Sequence, residues 1–578
     1  MSSKSEMISR LIGKMTLEQK VGQCFVIGFT GTMITPVILE RIKRYCPAGI
    51  RCGLTFRIKT AYYDPYATSP EFAHRVIRYP VGTVKDFVPG LPVPECTNEE
   101  YCAFLNTMKK ASLNNDLGIP LHITMDMEGD ASADYPRDGI RFFPSCGGIG
   151  RTGDTKLAHD VAWAVARELT SLGVSWLHSP VIDVNTEPMN PEIGIRSYSE
   201  KTSEVVKFVS AALKGFKEGG IVATGKHYPG RGASSQDAHH GLPVIKLSRR
   251  KMMEDHIRPY AEMIEKGVPL PCIMTAHTAY PEIDPSGLPA SLSKVFITDI
   301  LKNDLGFKGT VTTDDITMGG IAAKFEIVEA CLRSLNAGND LILLREESPL
   351  IDEVIPGLVK AVKKGQLKES RLDEAITRTL SVKYDYGFFK NGGIRDVKKA
   401  GDGIRDPKVI NIARSAAKKV QVILRDKQKL LPVSRSKKIL LIEQINPLHR
   451  LVNTQECHPS LLWENMLKYS DNVINVETSM DYNEDDVKRI KRRLGEAELI
   501  VATNYYFRRS ADGGDFIQRL HKMTRKPIIV VANTHYPQAL SKEFKTVILT
   551  YGSSPECYAE AAKAIFNKQV RALACTMY

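Results

Sequence analysis

Eight short apolar runs, most of them followed by a helical pattern, constrain this chain more than any other feature. They fall at residues 24–29, 53–56, 121–125, 174–177, 221–224, 272–275, 310–313 and 340–344. Each is too short to bury as a helix and is bounded by turn formers, as buried strands are. The stretches between them change period. At 158–172, for example, Val161, Val165, Leu169 and Leu172 recur at helical spacing. Eight strands alternating with helices predict an α/β fold, a (β/α)8 barrel of the TIM type over residues 1–390. Residues 391–409, with Gly392, Gly393, Gly401 and Gly403, read as a linker. A helical stretch at 410–419 leads to a run at 420–424. Further runs at 439–442, 499–502, 528–532 and 547–551 predict a smaller, doubly wound parallel α/β domain over 410–578. That domain carries no GxGxxG, so a dinucleotide-binding function is unsupported.

Parallel barrels present their chemistry just beyond the C-terminal ends of the strands, and the titratable residues of this chain gather there. Asp126 follows the third run, and Asp183 and Arg196 follow the fourth. Lys226, His227, Asp237 and His239 follow the fifth, His277 the sixth, and Asp314 and Asp315 the seventh. The richest stretch is 221–243. Its apolar run stops at Gly225, delivers Lys226 and His227 side by side, and passes into a loop carrying Asp237 and His239 one residue apart. An Asp so placed can orient an imidazole, select its tautomer and stabilise the imidazolium, although Asp-x-His alone is a common string. Gly220, Gly225 and Lys226 imitate the start of a phosphate-binding loop. His227 stands where Ser or Thr would hold magnesium, so nucleotide binding is rejected. A Pro- and aromatic-rich loop at 58–96 is long for a barrel and reads equally as a functional cover over the C-terminal face or as a packed surface and subunit contact. Two capping boxes mark helix starts, Thr16 with Gln19 and Thr97 with Glu100.

Bulk properties narrow the class. The formal charge of +13 comes from scattered Lys and Arg with modest clusters at 249–251 and 488–493. No aromatics interleave with them, which reads as a solvated basic face and not as a nucleic-acid surface. Eleven cysteines with no CxxC spacing argue for reduced thiols, against a disulfide framework and against a zinc site. The N-terminus has no apolar signal core, and no apolar run approaches a membrane span, so a cytoplasmic protein with no membrane partner is expected.

The string Lys226-His227-Tyr228-Pro229-Gly230-Arg231-Gly232, then Asp237-Ala238-His239, then Gly241-Leu242-Pro243 resembles the signature of glycoside hydrolase family 3, in its β-N-acetylglucosaminidase branch. The phrases at 15–23, 125–129, 179–185, 190–198 and 306–318 resemble the same family. The resemblance implies a two-domain, exo-acting, retaining glycosidase that removes terminal β-linked N-acetylglucosamine from a carbohydrate substrate, with no metal or cofactor. It implies Asp314 as nucleophile, His239 as acid/base with Asp237 behind it, and Asp126, Arg196, Lys226 and His227 as sugar-binding residues. Asp315, Asp183 and His277 fall into supporting roles. Asp130, Ala131, Arg231 and Ala233 depart from the family pattern, and one reading is that Asp130 meets an amine on the aglycone or sugar. The alternatives are a phosphorylase or transglycosylase, another β-glycosidase specificity, and a sugar-binding homologue without turnover. The second domain is expected to serve as a buttress, a homodimer surface or a lid.

Overall fold

The computed structural model describes residues 3–29, 34–52, 97–130, 134, 139–238, 241–345, 347–445, 460–479, 482–505, 513–535 and 540–567. His239, Ala131 and the 58–96 loop lie outside these residues.

Eight strands close into a barrel: β1 (Phe25–Phe29), β2 (Gly49–Cys52), β3 (His122–Met125), β4 (Trp176–Leu177), β5 (Val222–Tyr228), β6 (Cys272–Thr275), β7 (Thr310–Asp315) and β8 (Leu341–Leu344). All neighbours are parallel, and β8 returns to β1 with Phe25 opposite Ile342. The period of two along a strand separates the barrel's two faces. Val26, Leu341 and Leu343 converge with Met274 and Ala48 in a small inner cluster. Phe25, Ile27, Phe29, Ile342 and Leu344 face the other way and join the large core. Both capping boxes form. Thr16 N donates to Gln19 Oε1 at 2.9 Å, and Thr97 N donates to Glu100 Oε2 at 2.6 Å.

Two strands differ from the sequence reading in ways that matter for the site. The second strand is Gly49–Cys52, one run earlier than expected, and 53–56 lie outside the described residues. The charged Arg51 hid this strand, and it is nonetheless buried. The fifth strand does not stop at Gly225 but continues through Lys226 and His227 to Tyr228. Gly225 is there because a Cβ would lie 2.3 Å from Ile182 Cδ1 and 2.9 Å from Leu270 Cδ1. Lys226 and His227 are therefore held on a rigid strand end.

The second sheet contains β9 (Val422–Asp426), β10 (Ile439–Gln444), β11 (Val473–Thr478), β12 (Leu499–Asn504), β13 (Ile528–Ala532) and β14 (Thr546–Leu549), in the order β11-β10-β12-β13-β14-β9. It is mixed where an all-parallel sheet was expected, because β9 runs antiparallel to β14 along one edge. β11, unrecognised in the sequence, forms the opposite edge. Helices cover both faces. Leu441, Val501 and Val531 pack with Leu462, Met466 and Ile565, while Ile442, Ala502 and Val530 pack with Ile490, Ile517 and Leu520. Before this sheet, helix Pro407–Val420 lies against helix Thr155–Leu172 of the barrel side, and Gly403 sits so close that a Cβ would meet Arg167 O at 2.0 Å. No helix among the described residues is long and apolar enough to cross a membrane.

Candidate active site

The ends of β2, β3, β5 and β7, with the segments after β4 and β5, bring one connected set of charges to a single face of the barrel. At its centre is Lys226 on β5. Its ammonium donates to Asp126 Oδ1 at 2.6 Å and pairs with Glu128. Asp126 accepts a second charged bond from Arg51 Nη2 at 3.0 Å, and its backbone N–H donates to Asp134 Oδ2 at 2.9 Å. Arg51 also pairs with Asp134. Burial alone would raise the Asp126 carboxyl, but Lys226 and Arg51 outweigh it and hold the group well below the usual carboxylate range. Glu128 is gripped from its other side by Arg196, whose Nη2 donates to Oε1 at 2.9 Å. The arginine's second contact, Nη1 to Glu192 O at 3.0 Å, fixes its fork.

His227 is oriented from behind. Its Nδ1 lies 2.7 Å from Asp183 Oδ2, and its Nε2 lies 3.3 Å from Arg196 Nη2. An arginine only donates, so Nε2 accepts and the proton sits on Nδ1, directed at Asp183. Asp183 also accepts from the backbone N–H of Arg231 at 2.7 Å. Burial pushes its carboxyl up to about 6 against the pull of Arg231.

Asp314 is the penultimate residue of β7, with its side chain 16% exposed. Its Oδ1 accepts from the Asp315 N–H at 2.8 Å, and its Oδ2 lies 3.4 Å from Arg231 Nη2. Burial opposes ionisation of Asp314. The cations Arg231, above all, and Lys226 reverse the balance and depress its carboxyl below the ordinary range. Arg231, 1% exposed, also pairs with Glu192 Oε1 at 2.8 Å, and Glu192 Oε2 accepts from Ala238 N at 3.3 Å. Gly320 N, just after β7, donates to Ala238 O at 3.2 Å. The loop carrying the half-buried Asp237 is thereby tied to the strand carrying Asp314. His277 is locked between Ser291 Oγ at 2.7 Å and Asp315 O at 2.9 Å. The carbonyl accepts, so Nε2 carries the proton and Nδ1 accepts from the serine.

The structure thus gathers Asp126, Arg196, Lys226 and His227 into one cluster and joins Asp314 and the Asp237 loop to it through Arg231 and Glu192. Sequence reasoning missed Arg51, Glu128, Asp134, Glu192 and His178. His178 follows β4, and burial lowers its imidazole to about 4, so it is neutral beside Asp126. Glu128 had a signal, since it sits two residues from Asp126 in the same motif. Arg51 had none, because its partners are Asp126 and Asp134, each more than seventy positions away. Asp130 is corrected outright. It is 3% exposed and bonded to the second domain through Ser553 and Asn533, so it is not a surface waiting for an amine.

Comparison with known proteins places this geometry. Beta-hexosaminidase A of Pseudoalteromonas piscicida is 31% identical over 334 residues, covering 54% of this chain and 55% of that protein. The chain therefore spans about half the length of that relative. A beta-hexosaminidase of Idiomarina loihiensis is 32% identical over 229 residues, 39% of this chain and 67% of that protein. The solved structure of a glycoside hydrolase family 3 beta-N-acetylglucosaminidase from Paenibacillus sp. str. FPU-7 superposes with a TM-score of 0.78 at 24% identity, covering 96% of this chain and 98% of that one. The model of the glycosyl hydrolase family 3 N-terminal domain matches residues 16–382. That match takes in the whole barrel and more than half of the sequence, and the chain belongs to glycosyl hydrolase family 3.

Proposed function

We propose that this chain is an exo-acting, retaining β-N-acetylglucosaminidase. The observation that carries the reading is Asp314, a partly exposed carboxylate kept ionised at a strand end by Arg231, beside a preformed cluster of charged hydrogen-bonding groups. Named beta-hexosaminidase relatives support the substrate class.

In the first step an Asp314 oxygen attacks the anomeric carbon while the glycosidic C–O bond breaks. The His239 imidazolium gives its proton to the leaving oxygen, which departs as an alcohol. In the second step neutral His239 takes a proton from water. The water oxygen bonds the anomeric carbon, and Asp314 leaves as carboxylate. Asp237 fixes the tautomer of His239 and stabilises its charged form. Asp126, Arg196, Lys226 and His227 hold the sugar hydroxyls, and charge-assisted bonds of this kind are the strong ones. A cytoplasmic location belongs to the same reading, supported by the eight described cysteines, all unpaired and buried.

The test is hydrolysis of p-nitrophenyl β-N-acetylglucosaminide followed by NMR, with the β-glucoside and added phosphate as controls. The β-anomer is expected first, with the glucoside slower by roughly 100-fold. An α-anomer appearing first would remove the retaining mechanism, and a sugar phosphate as product would move the reading to phosphorolysis. Arg231→Gln provides a second check. It withdraws the cation that depresses Asp314, so the carboxyl rises and the nucleophile protonates sooner on acidification. The acidic limb of kcat/KM should move to higher pH, and a limb that stays in place contradicts the role given to Arg231.

A further inference from the structure

Resting on the sugar-site reading above, we propose that Asp130 is a positioning residue through which the second domain sets the geometry of the Glu128–Arg196–Lys226 cluster. Asp130 follows β3 by five residues and lies in the left-handed region, φ 46°. Such a backbone is uncommon outside glycine and is tolerated best by Asn and Asp. Its carboxylate reaches across to the second sheet. Oδ1 accepts from Ser553 N and Ser553 Oγ, both at 2.7 Å, and Oδ2 accepts from Asn533 Nδ2 at 3.3 Å. Asn533 directly follows β13, and Ser553 lies four residues beyond β14.

The same turn grips the return leg of the barrel loop. Tyr551 O accepts from Ser145 N at 2.8 Å, and a Cβ on Gly148 would lie 2.4 Å from Tyr551 Cβ. Asp130 N donates to Phe143 O at 2.7 Å, and Cys146 Sγ donates to Glu128 O at 3.3 Å, which binds the two legs together. Glu128 lies two residues from Asp130 and holds both Arg196 and Lys226. A carboxylate shared by two cations is sensitive to small displacements of its backbone, because both charge-assisted bonds depend on its position. The second domain thus acts on the sugar site through a clamp made by residues about 400 positions downstream.

Three variants test this. Asp130→Ala removes the side-chain bonds to Ser553 and Asn533 while leaving the Ser145–Tyr551 backbone contact, and is expected to raise KM for the aryl N-acetylglucosaminide roughly tenfold, the scale of a lost charged hydrogen bond, with kcat within about threefold. Asp130→Asn should recover most of the loss. Its amide oxygen still accepts from Ser553, it suits the left-handed φ, and the Asn533 amide can turn to meet it. Ser553→Ala, a milder cut from the other side, should raise KM in the same direction and add little to Asp130→Ala when the two are combined. A merely structural contact would lower unfolding temperature and active fraction without changing KM, and Asn would give no selective rescue. Hydrogen exchange in the peptides carrying Glu128 and Arg196 needs no turnover and should rise in Ser553→Ala. A wild type inactive on this substrate removes the functional reading, whereas unchanged exchange in Ser553→Ala overturns the clamp whatever the substrate is. Unchanged KM in both Asp130→Ala and Ser553→Ala, with an active wild type, overturns it equally.

Discussion

Asp314→Asn is expected to lower kcat on the aryl N-acetylglucosaminide by about 10⁴-fold or more, the scale on which loss of a nucleophile registers. The substitution is nearly isosteric. The amide oxygen can still accept from the Asp315 N–H, which bonds Oδ1 at 2.8 Å. The amide nitrogen would face Arg231 Nη2, whose oxygen partner now lies 3.4 Å away, and two donors would then oppose each other. Arg231 keeps Glu192 at 2.8 Å, so no buried charge is orphaned and the fold should survive. What changes is the attacking group, since an amide oxygen cannot form the glycosyl ester that splits one hard step into two. The measurement is p-nitrophenol release alongside a thermal melt of both proteins. Asp314→Ala sharpens it by leaving room for azide, which can attack the anomeric carbon from the vacated side and displace the aryloxide to give the α-glycosyl azide. Residual turnover within a factor of about 10 of wild type in Asp314→Asn would assign the nucleophile elsewhere, because removing a peripheral contact costs no more than that.

The architecture was legible where burial is apolar and faded where burial is charged. β1, β6 and β8 are nearly continuous hydrophobic runs, and their positions follow from that. β2 contains Arg51, and β5 runs through Lys226 and His227 to its end at Tyr228. An apolarity scale rates such residues as exposed, because it measures transfer into oil and not transfer into a pocket already holding Asp126, Glu128 and Asp134. The errors therefore cluster at the site itself. β11 failed for another reason. Asn475 and Glu477 interrupt an edge strand that is fully buried only at Val473, Val476 and Thr478, so neither an apolar run nor a clean alternation marks it. The antiparallel sense of β9 has no local signature at all. The resemblance named Asp126, Arg196, Lys226, His227 and Asp314 as candidates because they belong to contiguous motifs. It gave no role to Glu192, although that residue lies in the 190–198 phrase, or to the Asp130 bonds with Ser553 and Asn533, because those partners are fixed only by the folded chain.

Lys226→Met should destabilise the barrel by about 3–5 kcal/mol at neutral pH, the usual cost of removing one partner from a buried ionic cluster. Lys226 is 4% exposed in its side chain and serves two carboxylates, Asp126 and Glu128. Without it, Asp126 keeps Arg51 and Glu128 keeps Arg196, yet the cluster carries one uncompensated negative charge in a site that water barely reaches. In the wild type, Lys226 and Arg51 depress Asp126 against burial. A depressed carboxyl contributes stability that is fully present above its unfolded value, about 4, and is lost as pH falls through the folded one. Removing Lys226 leaves Arg51 as the main cation depressing Asp126, so the folded value rises and the larger part of that contribution is lost at neutral pH. The gap between variant and wild type should be widest near pH 7 and narrow below about pH 4, where the carboxylates take up protons in the variant. Glu128→Gln added to Lys226→Met removes the surplus charge and should restore part of the lost stability, whereas alone it leaves Arg196 and Lys226 competing for fewer anions and should destabilise. Denaturant midpoints across pH 3–7 with an unchanged slope would check all three arms. A lysine that merely decorated a solvated rim would leave the midpoints within about 0.5 kcal/mol of each other at every pH. That outcome would dissolve the buried cluster on which the proposed sugar site rests.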